Sequence, residues 1–212
     1  MLSFITFLFL QTRMMDSQSV DVFKVQKNPD ETVQLILRKY QTVSSEFEKL
    51  EKNPTTSLCT LISVVMPEYL SFSPMTGKAE LMFMTAAFRA DLKRFKRTSF
   101  GPFQMQPDFI LHQLRQSSRF SEDVLFNQAR LTGYEWMADH LEEFARMDVQ
   151  LRILLIFEEN FRRSYPNGSF EEMASLYNTG SVKPSPLIFT KLQYADRSYL
   201  GWVRYIRGVV NC

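Results

Sequence analysis

The chain has 212 residues, 45% of them apolar and 23% charged, and a formal net charge of +2. That is length enough for one well-packed domain with some extension to spare, in the composition range of soluble globular proteins. So small a charge, on lysines and arginines spread along the chain and with no recognisable nucleic-acid motif, excludes a typical nucleic-acid binder.

The first element is the apolar run Leu2 to Leu10, far too short to anchor in a membrane. Its length suits a signal-peptide core, but no Lys or Arg precedes it and no small-x-small cleavage site follows. Residues 1–20 are therefore a signal peptide or an N-terminal extension tucked against the domain, and export to the periplasm or cell envelope is the favoured reading. Residues 28–53 form an accessory helix: Asn28-Pro29 opens it, and Val33, Ile36, Tyr40, Val43, Phe47 and Leu50 make its apolar stripe. Asn53-Pro54 stops it.

The main domain, 56–212, begins with a helix from Thr56 to Met66 whose buried face is Leu58, Leu61, Ile62 and Val65. Pro67 lacks the backbone donor and disfavours helix at Met66, so this helix is expected to bend or end there. A third helix is expected over 78–97, with Leu81, Met84, Phe88 and Leu92 on one side. Its basic residues Arg89, Lys93, Arg94, Lys96 and Arg97 read as a solvated face, or as a handle for an anionic polymer such as cell wall. Shorter helices follow at Asp108–Arg115 and Ser121–Arg130, then a longer helical region from Trp136 to Phe144.

Residues 148–163 are the most apolar stretch, a nearly surrounded central helix. Tyr165 to Gly168 makes a turn, Ser169 and Glu172 form a capping box for a helix over 170–177, and Gly180 stands at its stop. The last helix spans 186–207; in it Tyr194 and Tyr199 are core residues or extensions of a cleft. No alternating strand pattern competes, so the fold class is all-α. The two histidines, His112 and His140, stand alone, and no metal site is expected. Cys59 and Cys212 are compatible with one disulfide, a pairing that export would make reasonable. There is no phosphate loop and no dinucleotide fingerprint, so no cofactor is expected.

Three segments carry residues suited to chemistry. Glu68, in Met66-Pro67-Glu68-Tyr69, follows an apolar run, and apolar surroundings raise a carboxyl pKa by penalising its charged form. A carboxylic acid held protonated near neutral pH is what glycosidic cleavage requires. In Ser99-Phe100-Gly101-Pro102-Phe103-Gln104-Met105-Gln106-Pro107, Gly101 permits close approach or an unusual dihedral. Phe103 and Met105 can anchor this segment while Gln104 and Gln106 face a cleft, each amide offering donor and acceptor. Tyr177-Asn178-Thr179-Gly180 ends a capped helix with an aromatic able to stack on a sugar or hydrogen-bond a reacting group; Asn178 lines a cleft or supports the cap.

In this order the three segments resemble the lysozyme-like lytic transglycosylases, over roughly residues 56–205. The resemblance implies a lysozyme-like helical domain that cuts peptidoglycan between N-acetylmuramic acid and N-acetylglucosamine. Glu68 would be the general acid/base, and Gly101, Phe103, Gln104, Gln106, Tyr177 and Asn178 would contact the glycan. Tyr69 stands where the family usually has Ser, and the segment between Glu68 and Gly101 is longer than in compact members. These departures make Glu80 a rival for the catalytic position, or the second carboxylate of a hydrolytic lysozyme. The competing functional readings are a non-catalytic glycan-binding module or scaffold on the same fold, and an unrelated all-α adaptor. Protein partners other than the glycan are not specified by any motif.

Overall fold

The burial that the apolar stripes demand is met by helix packing alone: the fold is all-α. The computed structural model describes residues 29–50, 58–180 and 199–211. Among them are eleven helices and one isolated bridge, Phe100 to Met105. The expectations for residues 1–20, the Asn28 cap, the Asn53-Pro54 stop, Tyr194, Cys212 and the start of the last helix lie outside the described residues. Cys59 is disulfide-bonded.

Helix α1, Pro29–Leu50, buries Ile36, Val43 and Phe47, one face of the expected stripe. Helix α2, Leu58–Ser71, carries Glu68 and differs from expectation: it runs through Pro67 for another turn. Proline removes one hydrogen bond of the ladder, but the residues from Leu61 to Met66 and Tyr69 are all buried, and their burial outweighs that loss. Lys39 on α1 closes the far end, its Nζ donating to the carbonyls of Tyr69, Leu70 and Phe72. Three carbonyls at the helix C-terminus thus gain a donor. Glu68 consequently sits inside the last turn, not at the helix end.

The chain turns 88° into α3, Pro74–Ala90. Its start lies earlier than expected because Ser73 and Thr76 form a capping box. The expected helix over 78–97 is two helices. Asp91 ends α3 and caps α4, Leu92–Arg97, by accepting from the backbone N–H groups of Lys93 and Arg94. The break rotates Leu92 out of the expected buried side, leaving it 44% exposed while Phe95 is buried.

Helix α5 is Pro107–Gln116 and α6 is Val124–Thr132. The region from Trp136 to Phe144 is again two pieces, α7 Tyr134–Asp139 and α8 Leu141–Phe144, separated at His140. His140 stacks on Trp136 and its Nδ1 lies 2.8 Å from the Trp136 carbonyl oxygen. Helix α9, Met147–Ser164, is the central helix expected from its composition, with Leu151 and the run from Ile153 to Phe157 buried. The capping box of Ser169 and Glu172 opens α10, Phe170–Thr179, and Gly180 closes it in the left-handed region at φ 72°. Helix α11, Tyr199–Val209, packs on α2, and the buried Tyr199 donates its hydroxyl hydrogen to the Val64 carbonyl. Around α2 are thus gathered α1, α10 and α11. No single helix among the described residues is long and apolar enough to cross a membrane.

Candidate active site

A cavity of about 750 Å³ opens between α2, the segment 99–106, α5, α9 and α10, and all three sequence segments reach it. Glu68, Gln104, Gln106, Tyr177 and Asn178 line it. Gly101 and Phe103 do not. Phe103 is fully buried, edge-on to Tyr69 with ring centroids 5.7 Å apart, and belongs to the core rather than to a sugar-contacting wall. The place of a side chain at Gly101 is filled by Gln150, whose Nε2 lies 2.3 Å from an ideal Cβ position, and the backbone there has φ +75°. Gly101 is needed for this turn and not for contact with a ligand.

Glu68 sits in the last turn of α2 between the buried Pro67 and Tyr69, near enough to the phenols of Tyr177 and Tyr199 for its charge to act on both. No hydrogen bond or ion pair reaches its carboxyl among the described residues. Burial is the larger cause, and the charge of Glu80 the smaller, that lifts its pKa from the ordinary 4.5 to about 7. The group is therefore near half-protonated at neutral pH and reaches an open cavity, as a proton-transfer group must.

Glu80 has a different task. Its Oε2 accepts from the Gly101 N–H at 3.2 Å, and its Oε1 from the Gln104 Nε2 at 2.9 Å. It is outside the cavity lining, and although burial raises its pKa, both hydrogen bonds favour the charged form. It fastens the 99–106 segment to α3.

That segment is a tight hairpin, Phe100 and Met105 exchanging both backbone hydrogen bonds at 3.1 Å. Gln104 and Gln106 reach the cavity and Phe103 and Met105 are buried, but the expected division between anchoring and facing residues holds only in part, because Met105 also lines the cavity. Gln104 has a positive φ of 52°. Two further side chains hold the hairpin. Gln150 on α9, fully buried, accepts from the Phe103 N–H at 2.9 Å and donates to the Phe100 carbonyl at 3.0 Å. Tyr177 donates its hydroxyl hydrogen to the Phe103 carbonyl at 2.6 Å. Burial and the charge of Glu68 hold the Tyr177 phenol well above its ordinary pKa, which keeps this donor protonated. Its ring meets Phe109 and Phe157 edge-on at 5.4 and 5.7 Å. The hydroxyl of Tyr177 thus braces the hairpin instead of addressing a reacting group. Asn178 lies in the last turn of α10, one position beyond Tyr177; Gly180 makes the cap, and Asn178 lines the cavity.

Beyond Glu68 the cavity continues along α5 and α9, past His112, Gln113, Gln116 and Asn160. No sequence pattern singled these out as a wall, because the spacing of α5 points equally to a solvated face. Among the described residues no cluster of His, Cys, Asp and Glu is arranged to hold a metal ion. In comparisons with family models, curated proteins and solved structures, nothing matches this chain.

Proposed function

We propose that the protein is a peptidoglycan-cleaving glycosidase working as a lytic transglycosylase, with Glu68 as its one acid/base. The observation that carries this reading is the Glu68 carboxyl: shifted to about 7, free of any hydrogen-bond partner among the described residues, and set in a cavity also lined by Gln104, Gln106 and Asn178. Protonated Glu68 gives its hydrogen to the glycosidic oxygen as the C1–O bond breaks. The resulting carboxylate then takes the proton of the muramoyl 6-hydroxyl as that oxygen closes on C1, leaving a 1,6-anhydro end and a protonated Glu68 ready for another turn.

This route uses a single carboxylate. Glu80 supports it by its position: with both oxygens engaged by Gly101 and Gln104, it is poorly placed to activate the water a hydrolytic lysozyme would need. A substrate of this kind assigns the protein to the periplasm or cell envelope, where the exposed basic residues Arg89, Lys93, Arg94 and Arg97 offer peripheral attachment to an anionic wall.

The test is digestion of purified peptidoglycan by the full chain and by Glu68→Gln, with products read by mass spectrometry. Anhydro-muropeptides released by the wild type and reduced at least a thousandfold in the variant are expected. Reducing-end products would replace the transglycosylase with a lysozyme. Absence of products from folded wild type between pH 5 and 8 would remove the enzymatic reading in favour of a glycan-binding scaffold.

A further inference from the structure

Two of the amides lining the cavity have their orientation dictated from behind, and they present opposite hydrogen-bonding characters. Gln104 spends both amide hydrogens internally: its Nε2 donates to Glu80 Oε1 at 2.9 Å and to the Gly101 carbonyl at 3.0 Å. A carboxylate and a carbonyl can only accept, so the amide cannot be reversed. Among the described residues nothing donates to the Gln104 oxygen, which remains for the cavity.

Gln113 is locked in the other sense. Its Oε1 accepts from the Asn160 Nδ2 at 2.9 Å, and the same Nδ2 also donates to the Gln113 backbone carbonyl at 3.1 Å. Asn160 cannot flip, because its Oδ1 accepts from Arg163 at 3.2 Å and Arg only donates. Gln113 is 6% exposed, lines the cavity, and has no partner for its Nε2 hydrogens among the described residues. A ligand carbonyl or ether oxygen in the cavity can therefore accept those hydrogens.

We propose that Gln104 and Gln113 are a specificity-determining pair of fixed, opposite polarity: Gln104, locked by Glu80, accepts from a ligand N–H or O–H, and Gln113, locked by Asn160, donates to a ligand carbonyl or ether oxygen. Gln104 stands on the 99–106 hairpin and Gln113 on α5, so one extended ligand in the cavity is met by an acceptor and a donor from two different elements. A glycan bearing acetamido groups carries both the N–H and the C=O that this pattern requires. The proposal rests on the glycan reading of the cavity, and it makes Glu80 a positioning residue acting through Gln104.

The test uses the isotope-labelled full chain, with the side-chain amide signals of Gln104 and Gln113 assigned by their loss in Gln104→Ala and Gln113→Met. In the free protein, the Gln104 amide hydrogens should exchange with solvent at least tenfold more slowly than those of exposed Gln34. On titration with the tetramer of N-acetylglucosamine, the Gln113 amide signals should shift while those of Gln104 stay slow. Glu80→Gln can satisfy Gly101 through its oxygen while donating to Gln104, which reverses that amide. It should abolish the slow exchange and weaken tetramer binding about tenfold. Glu80→Gln with unchanged exchange and affinity overturns the lock and leaves glycan cleavage standing. Tetramer binding that shifts Gln104 amide hydrogens in place of those of Gln113 overturns the polarity assignment. A wild type that binds no tetramer yet keeps slow Gln104 exchange overturns the glycan reading and the ligand assigned here.

Discussion

A carboxyl held neutral near pH 7 costs the fold something, and Glu68 makes the cost measurable. Below its ordinary pKa of 4.5 the group is protonated in folded and unfolded chain alike, and no penalty exists. Between 4.5 and about 7 the unfolded chain releases the proton while the folded one keeps it, so stability falls as pH rises. Above about 7 the folded protein carries the whole penalty of a buried charge, about 3 kcal/mol for a shift of this size. Glu68→Gln removes it. The variant should match the wild type within about 0.5 kcal/mol at pH 4.5 and exceed it by about 2–3 kcal/mol at pH 8.5, as read by urea denaturation. Equal stability at both values would show that Glu68 titrates normally. If Glu68 is the acid proposed above, activity falls over the same range: the proton donor is depleted above pH 7, so kcat/KM on peptidoglycan should fall about tenfold per unit there. The trade lies in the substitution: Glu68→Gln gains stability at high pH and gives up the proposed acid.

At the scale of the element, the 99–106 hairpin is fixed by groups from three helices, Glu80 on α3, Gln150 on α9 and Tyr177 on α10. Gly101→Ala meets two penalties, a side chain at positive φ and a Cβ driven into the Gln150 amide. Displacing Gln150 also leaves the Phe103 N–H and the Phe100 carbonyl unpaired, so about 3–5 kcal/mol of destabilisation is expected. Gln150→Ala alone should cost about 2–4 kcal/mol. The double variant should cost at least 1 kcal/mol less than the sum, because the second substitution clears the space that the first invades. Strict additivity in denaturant unfolding would mean that the two residues do not share this site. The hairpin also marks how far sequence could be read. The alternation of Phe103 and Met105 with Gln104 and Gln106 is a local signal, and the glycine announces a turn. Gln150 was illegible because its partners are backbone groups 47 and 50 residues away, which no periodicity records. The assignment of Phe103 to the glycan failed for a related reason: an aromatic beside a cleft and an aromatic beneath it look the same in one dimension. The division of 78–97 at Asp91 was different, since an Asp that caps the next turn is a local signal overridden by the apolar spacing around it. Glu80, weighed as an acid, is a hydrogen-bonding prop, a distinction that only its two partners reveal.

At the scale of the molecule, the Glu68 helix is enclosed by elements from both ends of the chain. Helix α1 packs on α2 and α9, and α11 packs on α2 and α10, so the N-terminal helix and the last helix meet in one core with Ile36, Phe47, Tyr199 and Val203 all buried. This enclosure explains how α2 tolerates Pro67: with α1, α10 and α11 around it, a single missing ladder bond is small against the apolar area removed from water. It also gives Lys39 a role larger than a surface lysine's. Its ammonium joins the C-terminus of α2 to α1 through the carbonyls of Tyr69, Leu70 and Phe72, and lies 4.6 Å from the Tyr69 ring centroid. Tyr69 in turn touches Phe103 under the hairpin, so the same lysine supports both walls of the cavity near Glu68. Lys39→Met keeps the apolar stem but deletes every donor, and should destabilise the protein by about 2–3 kcal/mol in urea denaturation. Because the last turn of α2 is released, amide exchange in residues 68–71 should accelerate more than in α6, which lies elsewhere in the fold. An unfolding midpoint and exchange pattern equal to wild type would mean that α2 holds Glu68 in place without α1, and that the N-terminal helix is an addition the site does not need.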